Sequence, residues 1–236
     1  MLLKPNTILT SNERLSKIVE FIIIIFLGFG LFIYSSTISF LEFKKSSTTQ
    51  NYDSVDFVFI VIYEILILMI IAIYLKKRKW QLQDFNLDFK VKMIGIALLL
   101  VCIRESLGLI ITKSFIAIKE STSIQLNEPS ISLQTGIFSM AMMVIINSIY
   151  EEVLLTGYLF KRFEDFHPAV IIAISFLVRA SFHTYQGSIN LIMVFILALV
   201  FGLYYLRYRK LWPIIIAHGI GNIFHFLDEH YHWLDY

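Results

Sequence analysis

The chain has little charge and almost no cysteine for its length. Asp, Glu, Lys and Arg make up 16% of the 236 residues, whereas hydrophobic residues make up 57%. Mean hydropathy is +0.72, so the composition excludes an ordinary soluble domain and indicates a membrane protein. The single cysteine, Cys102, excludes an internal disulfide, and its position in an apolar segment predicts a packing role. The sequence also contains no repeat, Gly-rich phosphate loop or low-complexity linker.

Apolar segments account for nearly the whole chain. A spanning helix requires about 20 apolar residues. By this measure the sequence predicts seven spans, near 18–41, 57–75, 92–112, 136–160, 168–183, 189–206 and 211–227. We therefore expect an all-α fold, a polytopic transmembrane helical bundle that forms a single membrane domain over residues 1–236. The first span is too long for a signal-peptide core, so we expect it to be retained, and the polar interval 113–135 is the best candidate for an external loop.

Basic residues cluster in alternate loops between the predicted spans. The clusters are Lys4, Arg14 and Lys17, then Lys76, Lys77, Arg78 and Lys79, then Lys161 and Arg162, and finally Arg207, Arg209 and Lys210. Because cytoplasmic loops are enriched in Lys and Arg, seven spans with this pattern predict a cytoplasmic N-terminus and an external C-terminus. The clusters are explained by membrane topology, so we expect contact with the lipid bilayer and no nucleic-acid partner.

Several polar side chains lie inside the apolar segments. Glu151 and Glu152 are adjacent in one segment, where each charge costs about 2.5–3.5 kcal/mol. Later segments contain His183 and the pair His218 and Asn222. Adjacent helical residues point about 100° apart, so the two glutamates are expected to have different roles. The residue types leave three interpretations open: an interhelical ion cluster, the lining of a transport path, and a hydrolytic site in which either a carboxylate or a zinc ion activates water.

Three motifs occur in order around these residues. EEVLLTGYLFKRF contains Glu151 and Glu152, SFHTYQG contains His183, and AHGIGN contains His218 and Asn222. Together they resemble the CPBP family, which comprises the CAAX prenyl endopeptidases and the bacteriocin-processing enzymes and is also called the Abi family. The resemblance places a motif-bearing catalytic core at about 136–227. The N-terminal spans match the family only in being hydrophobic.

Two positions depart from the family pattern. Thr156 stands where the first motif normally has Arg, and Arg179 stands where the second normally has Phe. The usual arginine lies four residues after the second glutamate and would neutralise it. We expect Arg179, on the neighbouring helix, to supply this supporting charge instead. Arg179→Phe should then inactivate or destabilise the protein, and adding Thr156→Arg should restore it.

The resemblance implies an intramembrane endopeptidase with named roles for the motif residues. By resemblance, Glu151 activates water, His183 helps to position that water and Glu152 supports the site. His218 and Asn222 would polarise the scissile carbonyl and stabilise the oxyanion. Family members are described as metalloproteases, and a zinc ion here would have Glu151, His183 and His218 as ligands. The motifs also support a metal-free glutamate mechanism, which is slightly preferred because the sequence has no HEXXH or His-x-x-x-His pair.

The expected partner is a peptide or membrane-anchored protein substrate, such as the precursor of a bacteriocin or signalling peptide. Counting about 1.5 Å per residue from the basic loops, we expect a water-filled cavity that opens to the cytoplasmic half. Glu64, Arg104 and Glu105 also lie at membrane depth and are expected to form an interhelical charge network, with substrate contact as the alternative. The rival function is a catalytically inactive CPBP-fold protein that regulates a membrane sensor or gives bacteriocin self-immunity. A transporter is third, because no repeated halves are visible.

Overall fold

The computed structural model describes residues 11–46, 50–121 and 131–231, and most of these are helical. The α-helices of this described part are α1 Ser11–Ser46, α2 Ser54–Lys77, α3 Lys92–Ser121, α4 Ile137–Glu152, α5 Leu159–Arg162, α6 Pro168–His183, α7 Gly187–Tyr208 and α8 Trp212–Tyr231. A π-helical segment, Val153–Tyr158, joins α4 to α5, and short 3-10 turns lie at Leu82–Phe85 and Thr184–Gln186. Two short strands, β1 Gln50–Asp53 and β2 Ile131–Gln134, pair in parallel. The predicted all-α class is confirmed, with this small strand pair added to it.

The helices correspond to the predicted spans, although they are not all long enough to cross a membrane alone. Among the described residues, five stretches have the length and hydropathy of a span: Asn12–Phe43, Ser54–Lys77, Lys92–Ile118, Ile137–Arg162 and Pro168–Tyr208. The last of these contains both α6 and α7, which the sequence predicts as two spans. The final predicted span corresponds to a shorter apolar helix, Trp212–Leu227. The chain is therefore a multi-pass membrane protein.

The long helices pack in a closed ring. In order around it, α1 packs against α2, α2 against α4, α4 against α8, α8 against α3, α3 against α7, α7 against α6, and α6 against α1. Large apolar side chains stay exposed on the outside of the ring, as at Phe26, Ile62, Leu99 and Leu203, which fits contact with lipid. Cys102 is also exposed on α3. The expected packing role of this cysteine is therefore wrong, because its side chain faces outward.

Local sequence explains where the helices near the site begin. Asp53 caps α2 by accepting the amides of Val55 and Asp56, and the Asp56 side chain accepts the Asp53 amide in return. At the start of α6, Pro168 has no amide hydrogen to satisfy and suits the first helical turn. Gly187 opens α7 with φ of 87°, a backbone conformation that strongly favours glycine. This glycine lets the chain turn directly from the end of α6 into α7.

Ion pairs and hydrogen bonds join the basic clusters at one end of the ring. We call this end the basic end. Buried Glu20 of α1 pairs with Arg78, after α2, at 2.9 Å and with Arg162 of α5 at 3.0 Å. Arg209, after α7, donates to the Phe160 carbonyl at 3.5 Å. The loops that the sequence assigns to one side of the membrane therefore do lie together. Which side is cytoplasmic stays a prediction.

The opposite end is formed where α1, α6 and α8 end and where α2 and α4 begin. Ser36 Oγ of α1 lies 2.7 Å from Thr184 Oγ1, just after α6, and the β1–β2 pair joins the start of α2 to the segment before α4. The predicted external loop 113–135 is only partly a loop here. Its first nine residues belong to α3, residues 122–130 lie outside the described part, and β2 follows.

Candidate active site

Three helices bring the predicted site residues to one place inside the ring. Glu151 and Glu152 end α4, Arg179 lies one turn before the end of α6, and His218 lies in the second turn of α8. These four residues are at most 4% exposed. His183, the last residue of α6, is partly exposed. Four charged or titratable groups thus share a site from which bulk water is largely excluded, where unpaired charge would be costly.

Arg179 bridges the two glutamates. Its Nη1 donates to Glu151 Oε2 at 2.7 Å, and its Nη2 donates to Glu152 Oε1 and Oε2 at 2.9 and 3.0 Å. Adjacent helical side chains point about 100° apart, but a guanidinium presents several donors on a rigid fork and can reach both. The cation that the family pattern puts on the glutamate helix is here supplied from α6. Thr156 instead donates its hydroxyl to Glu152 Oε2 at 2.6 Å.

Glu152 is fully buried, and each of its two carboxylate oxygens has two hydrogen-bond partners. Oε1 accepts from Arg179 and lies 2.7 Å from His218 Nδ1, while Oε2 accepts from Arg179 and Thr156. Because an ionised carboxylate only accepts hydrogen bonds, the His218 Nδ1 atom carries a proton and donates it. The other ring nitrogen, Nε2, is then available to a molecule bound in the cavities that His218 lines. Glu152 therefore orients His218 and has little capacity left to activate water.

Glu151 differs from Glu152 in how its two oxygens are used. Oε2 accepts from Arg179, whereas Oε1 lies 4.0 Å from His183 Nε2. This separation is too long for a direct hydrogen bond, but one water molecule about 2.8 Å from each atom would contact both. Glu151 also lines both cavities at the site. The two adjacent glutamates therefore have different surroundings, as expected from the helix geometry.

His183 is oriented by a glutamine. Its Nδ1 lies 2.9 Å from Gln186 Oε1, and Gln186 Nε2 donates to the Tyr185 hydroxyl at 3.1 Å. With its amide group turned this way, Gln186 presents an acceptor to His183, so the imidazole proton lies on Nδ1. His183 Nε2 is then an acceptor that faces Glu151. In this tautomer, His183 Nε2 can accept a hydrogen bond from one hydrogen of a water molecule while Glu151 accepts one from the other hydrogen.

Asn222 is positioned by a second polar chain. Its Nδ2 donates to Asn147 Oδ1 at 3.4 Å, and Asn147 Nδ2 donates to Glu64 Oε1 at 2.8 Å. Sequence reasoning missed Asn147 and Gln186. Helical spacing was the signal that could have found them, because Asn147 lies four residues before Glu151 and Gln186 lies three residues after His183.

The expected charge network of Glu64, Arg104 and Glu105 is wrong. Glu64 bonds to Asn147 across helices, whereas Arg104 Nη1 lies 3.0 Å from Glu105 on its own helix. The physical reason is the packing order. In the ring, α2 and α3 are separated by α4 and α8, so the cation and the carboxylate of Glu64 lie in different parts of the interior.

Two cavities meet at the site. The first, of about 390 Å³, lies between α1, α2, α4 and α8, and the second, of about 160 Å³, lies between α3, α7 and α8. Residues that line both include Glu151, His183, Gln186, His218 and Asn222. A chain that occupied both cavities would pass directly over these side chains.

The first cavity extends toward the opposite end, not toward the basic end. Its lining includes Ser39 near the end of α1 and Asp56 at the start of α2. On the other side of the site, Leu155, Tyr158 and Leu159 are fully buried and fill the interior. The expected cavity in the half nearest the basic loops is therefore wrong. Counting residues along a helix does not show on which side of Glu151 space remains, because packing between the helices decides it.

The hydrogen bonds of the site bear on the zinc alternative. In the described residues no group of three or more His, Cys, Asp and Glu is placed to hold a metal ion. Of the zinc ligands that the resemblance suggests, Glu151 has one oxygen held by Arg179, and His218 Nδ1 is bonded to Glu152. His183 Nδ1 is bonded to Gln186. These contacts leave Glu151 Oε1, His183 Nε2 and His218 Nε2 uncommitted, and a bonded Nδ1 is also usual for histidine in metal sites. The metal-free mechanism therefore stays a prediction.

Comparison with known proteins finds one family match. Residues 133–224 match the family described as type II CAAX prenyl endopeptidase Rce1-like. This segment is about two fifths of the chain; it includes Glu151, His183 and His218 and confirms the resemblance to the CPBP family. At the family level the match supports an endopeptidase of the membrane. No curated protein and no solved structure matches the chain.

Proposed function

We propose that the protein is an intramembrane endopeptidase that hydrolyses a membrane-proximal peptide bond with water activated by Glu151. The observation that carries the proposal is the asymmetry of the two glutamates. Glu152 is saturated by donors, whereas Glu151 keeps Oε1 4.0 Å from His183 Nε2 at the junction of two cavities. A carboxylate placed in this way can act as a general base.

The proposed reaction begins with a water molecule held between Glu151 and His183. Glu151 Oε1 takes one proton while His183 Nε2 accepts a hydrogen bond from the other hydrogen, and the water oxygen attacks the peptide carbonyl. His218 Nε2 and the Asn222 amide then stabilise the oxyanion. As the intermediate collapses, the carbon–nitrogen bond breaks and Glu151 returns its proton to the leaving amine. Water is consumed, two peptide ends are formed, and Glu151 is regenerated.

The surrounding charges suit this sequence of steps. Arg179 neutralises the glutamates before reaction, and the paired Glu152 supports a protonated His218 when negative charge develops on the substrate. Because the carboxylate of Glu152 already has four short contacts, the proton from water is directed to Glu151. Activated hydroxyl would therefore form on the cavity side of α4.

The position of the first cavity indicates from which side of the membrane a substrate would enter. Under the predicted topology, with the basic end in the cytoplasm, the cavity opens toward the external side. A substrate that reaches it from there would be an exported peptide or the external part of a membrane-anchored protein. The precursor of a bacteriocin or of a secreted signalling peptide is a substrate of this kind.

The second candidate is an inactive protein of the same fold that binds a membrane sensor or gives bacteriocin self-immunity. The observation that favours it is Thr156, which replaces the arginine usual in the first motif. In that case the glutamates and Arg179 would only join α4 to α6. An enzyme and a scaffold of this kind respond differently to the loss of Glu151.

The test is cleavage of a library of membrane-anchored peptides by purified protein. Glu151→Gln keeps an acceptor for Arg179 but removes the base, so we expect the rate to fall about a hundredfold to ten-thousandfold with unchanged melting temperature. The exposed Glu164→Gln is the matched control and should cleave normally. Cleavage that persists in Glu151→Gln contradicts the mechanism, and a chelator added to the wild type separates a metal-dependent reaction from a metal-free one.

A further inference from the structure

The strand pair β1–β2 borders the first cavity at the end far from the basic loops. Tyr52, inside β1, lines this cavity and is half-buried, whereas its neighbours Asn51 and Asp53 are exposed. Successive side chains of a strand point to opposite faces. One face of β1 is therefore turned toward the cavity, and the other is turned away from it.

A short series of contacts joins β1 to the proposed catalytic base. The ring centroids of Tyr52 and Tyr185 lie 6.3 Å apart, and the Tyr185 hydroxyl accepts a hydrogen bond from Gln186. Gln186 in turn orients His183, whose Nε2 faces Glu151. All of these side chains line the first cavity. A peptide that lay along β1 would therefore lead toward Glu151.

One edge of β1 has no partner strand. In the described part of the chain the sheet consists of β1 and β2 alone, so each strand is paired on one side only. β2 packs against α8, whereas Tyr52 of β1 meets Tyr185, which follows α6. The unpaired edge of β1 therefore lies on the side of α6, away from α8.

The backbone of Asn51 points outward from this edge. In a parallel pair, alternate residues direct both of their backbone groups to the partner strand, and the residues between them direct both groups away. The Asp53 amide donates to the Asp56 side chain at 2.9 Å, so Asp53 belongs to the outward set, and so does Asn51 two residues before it. Outside the strand pair, no described residue bonds to the Asn51 backbone. Asn51 thus offers one N–H and one C=O to another chain.

A peptide that is cleaved in the first cavity needs such partners. In a membrane helix the backbone groups are bonded within the helix, so the segment to be hydrolysed has to unwind before water can reach its carbonyl. The freed amide and carbonyl groups are costly to bury unless they are paired. Much of the cavity wall is aromatic and offers no hydrogen bond, as at Phe29, Phe32 and Phe57. A strand edge supplies the missing partners for any extended sequence.

We infer that an extended segment of the peptide substrate pairs with the outer edge of β1, through the amide and carbonyl of Asn51, and enters the first cavity as a third strand. The inference rests on the proposed function, because it places the substrate on the way to Glu151. Affinity comes from main-chain hydrogen bonds, and alternate side chains of the peptide point into the cavity. Recognition of this kind accepts apolar peptides of many sequences.

Disulfide cross-linking tests the pairing without hydrolysis. Protein with Glu151→Gln, Cys102→Ser and Asn51→Cys in phosphatidylcholine nanodiscs is mildly oxidised with amidated apolar octapeptides, each with one cysteine at a different position. Neighbouring strands lie about 5 Å apart, a Cα separation that a disulfide spans. We expect one peptide position, or two positions two residues apart, to cross-link at least about tenfold faster than adjacent positions, whose side chains point to the opposite face.

The control and the alternative occupant are read in the same experiment. Glu164→Cys in place of Asn51→Cys puts the thiol at the basic end, where Glu164 pairs with Lys161, and it should show no preferred peptide position. Equal cross-linking of Asn51→Cys at all peptide positions, or at none, would overturn the inference. Disulfide-linked dimers of the Asn51→Cys protein would show that a second copy of the chain covers the edge, and would overturn it as well.

Backbone variants at Asn51 give a second measurement. Asn51→Pro removes the outward N–H and keeps an extended edge strand, whereas Asn51→Ala keeps the N–H and changes only the side chain. In the Glu151→Gln background, a fluorescein-labelled octapeptide should bind about fivefold to tenfold more weakly to the proline variant and normally to the alanine variant. Equal affinity of the two variants would contradict the pairing. If Asn51→Pro does not melt cooperatively, the cross-linking decides the question.

The proposed function fails in a different way. Absence of peptide hydrolysis by the wild type, with position-dependent cross-linking at Asn51 intact, would refute the proposed reaction and leave the strand pairing in place. Hydrolysis that is lost in Glu151→Gln, together with cross-linking that has no preferred position, would support the reaction and refute the pairing.

Discussion

Replacing Arg179 by phenylalanine tests the electrostatic centre of the site. The substitution leaves Glu151 and Glu152 buried without the guanidinium that donates to both. Removing one partner of a buried ion pair costs about 3–5 kcal/mol, and the loss here should lie toward the upper part of that range because one cation serves two carboxylates. For a chain of this length such a loss lowers the melting temperature by on the order of 10 °C.

Adding Thr156→Arg should reverse much of this loss. Thr156 Oγ1 lies 2.6 Å from Glu152 Oε2 and 3.4 Å from Arg179 Nη2, so an arginine at 156 starts beside the space that Arg179 vacates. In the wild-type background the same substitution places two cations together and should destabilise the protein. Contacting residues in one such network couple by about 0.5–3 kcal/mol. We expect a coupling of about 2 kcal/mol, by the same scale, in favour of the double variant.

The assay is thermal unfolding of the wild type, both single variants and the double variant in one detergent, with membrane abundance measured in parallel. Arg207→Phe on the exposed face of α7 is the matched control and should melt like the wild type. A double variant that is no more stable than Arg179→Phe alone would refute the idea that the cation has moved from one helix to the other. Recovery of cleavage with recovery of stability would link the ion cluster to the function.

Two other predictions concern the cavity and His183. In a Cys102→Ser background, Ser39→Cys at the cavity should react with a membrane-impermeant maleimide in intact cells, whereas Lys77→Cys at the basic end should react only after permeabilisation; the reverse pattern would contradict the predicted topology. Gln186→Leu removes the acceptor that holds the proton on His183 Nδ1, so kcat should fall about fivefold to tenfold, equivalent to ~1 kcal/mol, with KM unchanged. Gln186→Glu keeps the acceptor and should restore kcat, and an equal loss in both variants would show that Gln186 has only a packing role.

The residue pattern was sufficient for the helices and for the charged residues at the centre of the site, but not for Asn147 and Gln186. Segments of about 20 apolar residues predict spanning helices because backbone groups in lipid must be satisfied within the helix, and each predicted span is helical in the structure. Charged residues in such segments are costly, so Glu151, Glu152 and Arg179 stand out without any knowledge of the fold. The contact of Arg179 with both glutamates follows the expected transfer of the charge from the glutamate helix to α6.

The order of the helices around the ring could not be predicted, and it decided the features on which the function depends. Sequence spacing relates residues on one helix, whereas packing between helices depends on the shapes of many side chains at once. For this reason the predicted network of Glu64 with Arg104 was wrong, and so was the predicted half of the protein in which the cavity opens.

The sequence by itself therefore determined that the protein is a helical membrane protein and which polar residues form its centre, because burying charge in lipid is too costly to be accidental. The tertiary structure alone decided how these residues divide their roles. It saturates Glu152, leaves one oxygen of Glu151 facing His183, and packs Arg104 against α8 at Gly221. Such differences depend on separations of a few ångströms between helices that are distant in the chain, and local sequence does not fix them.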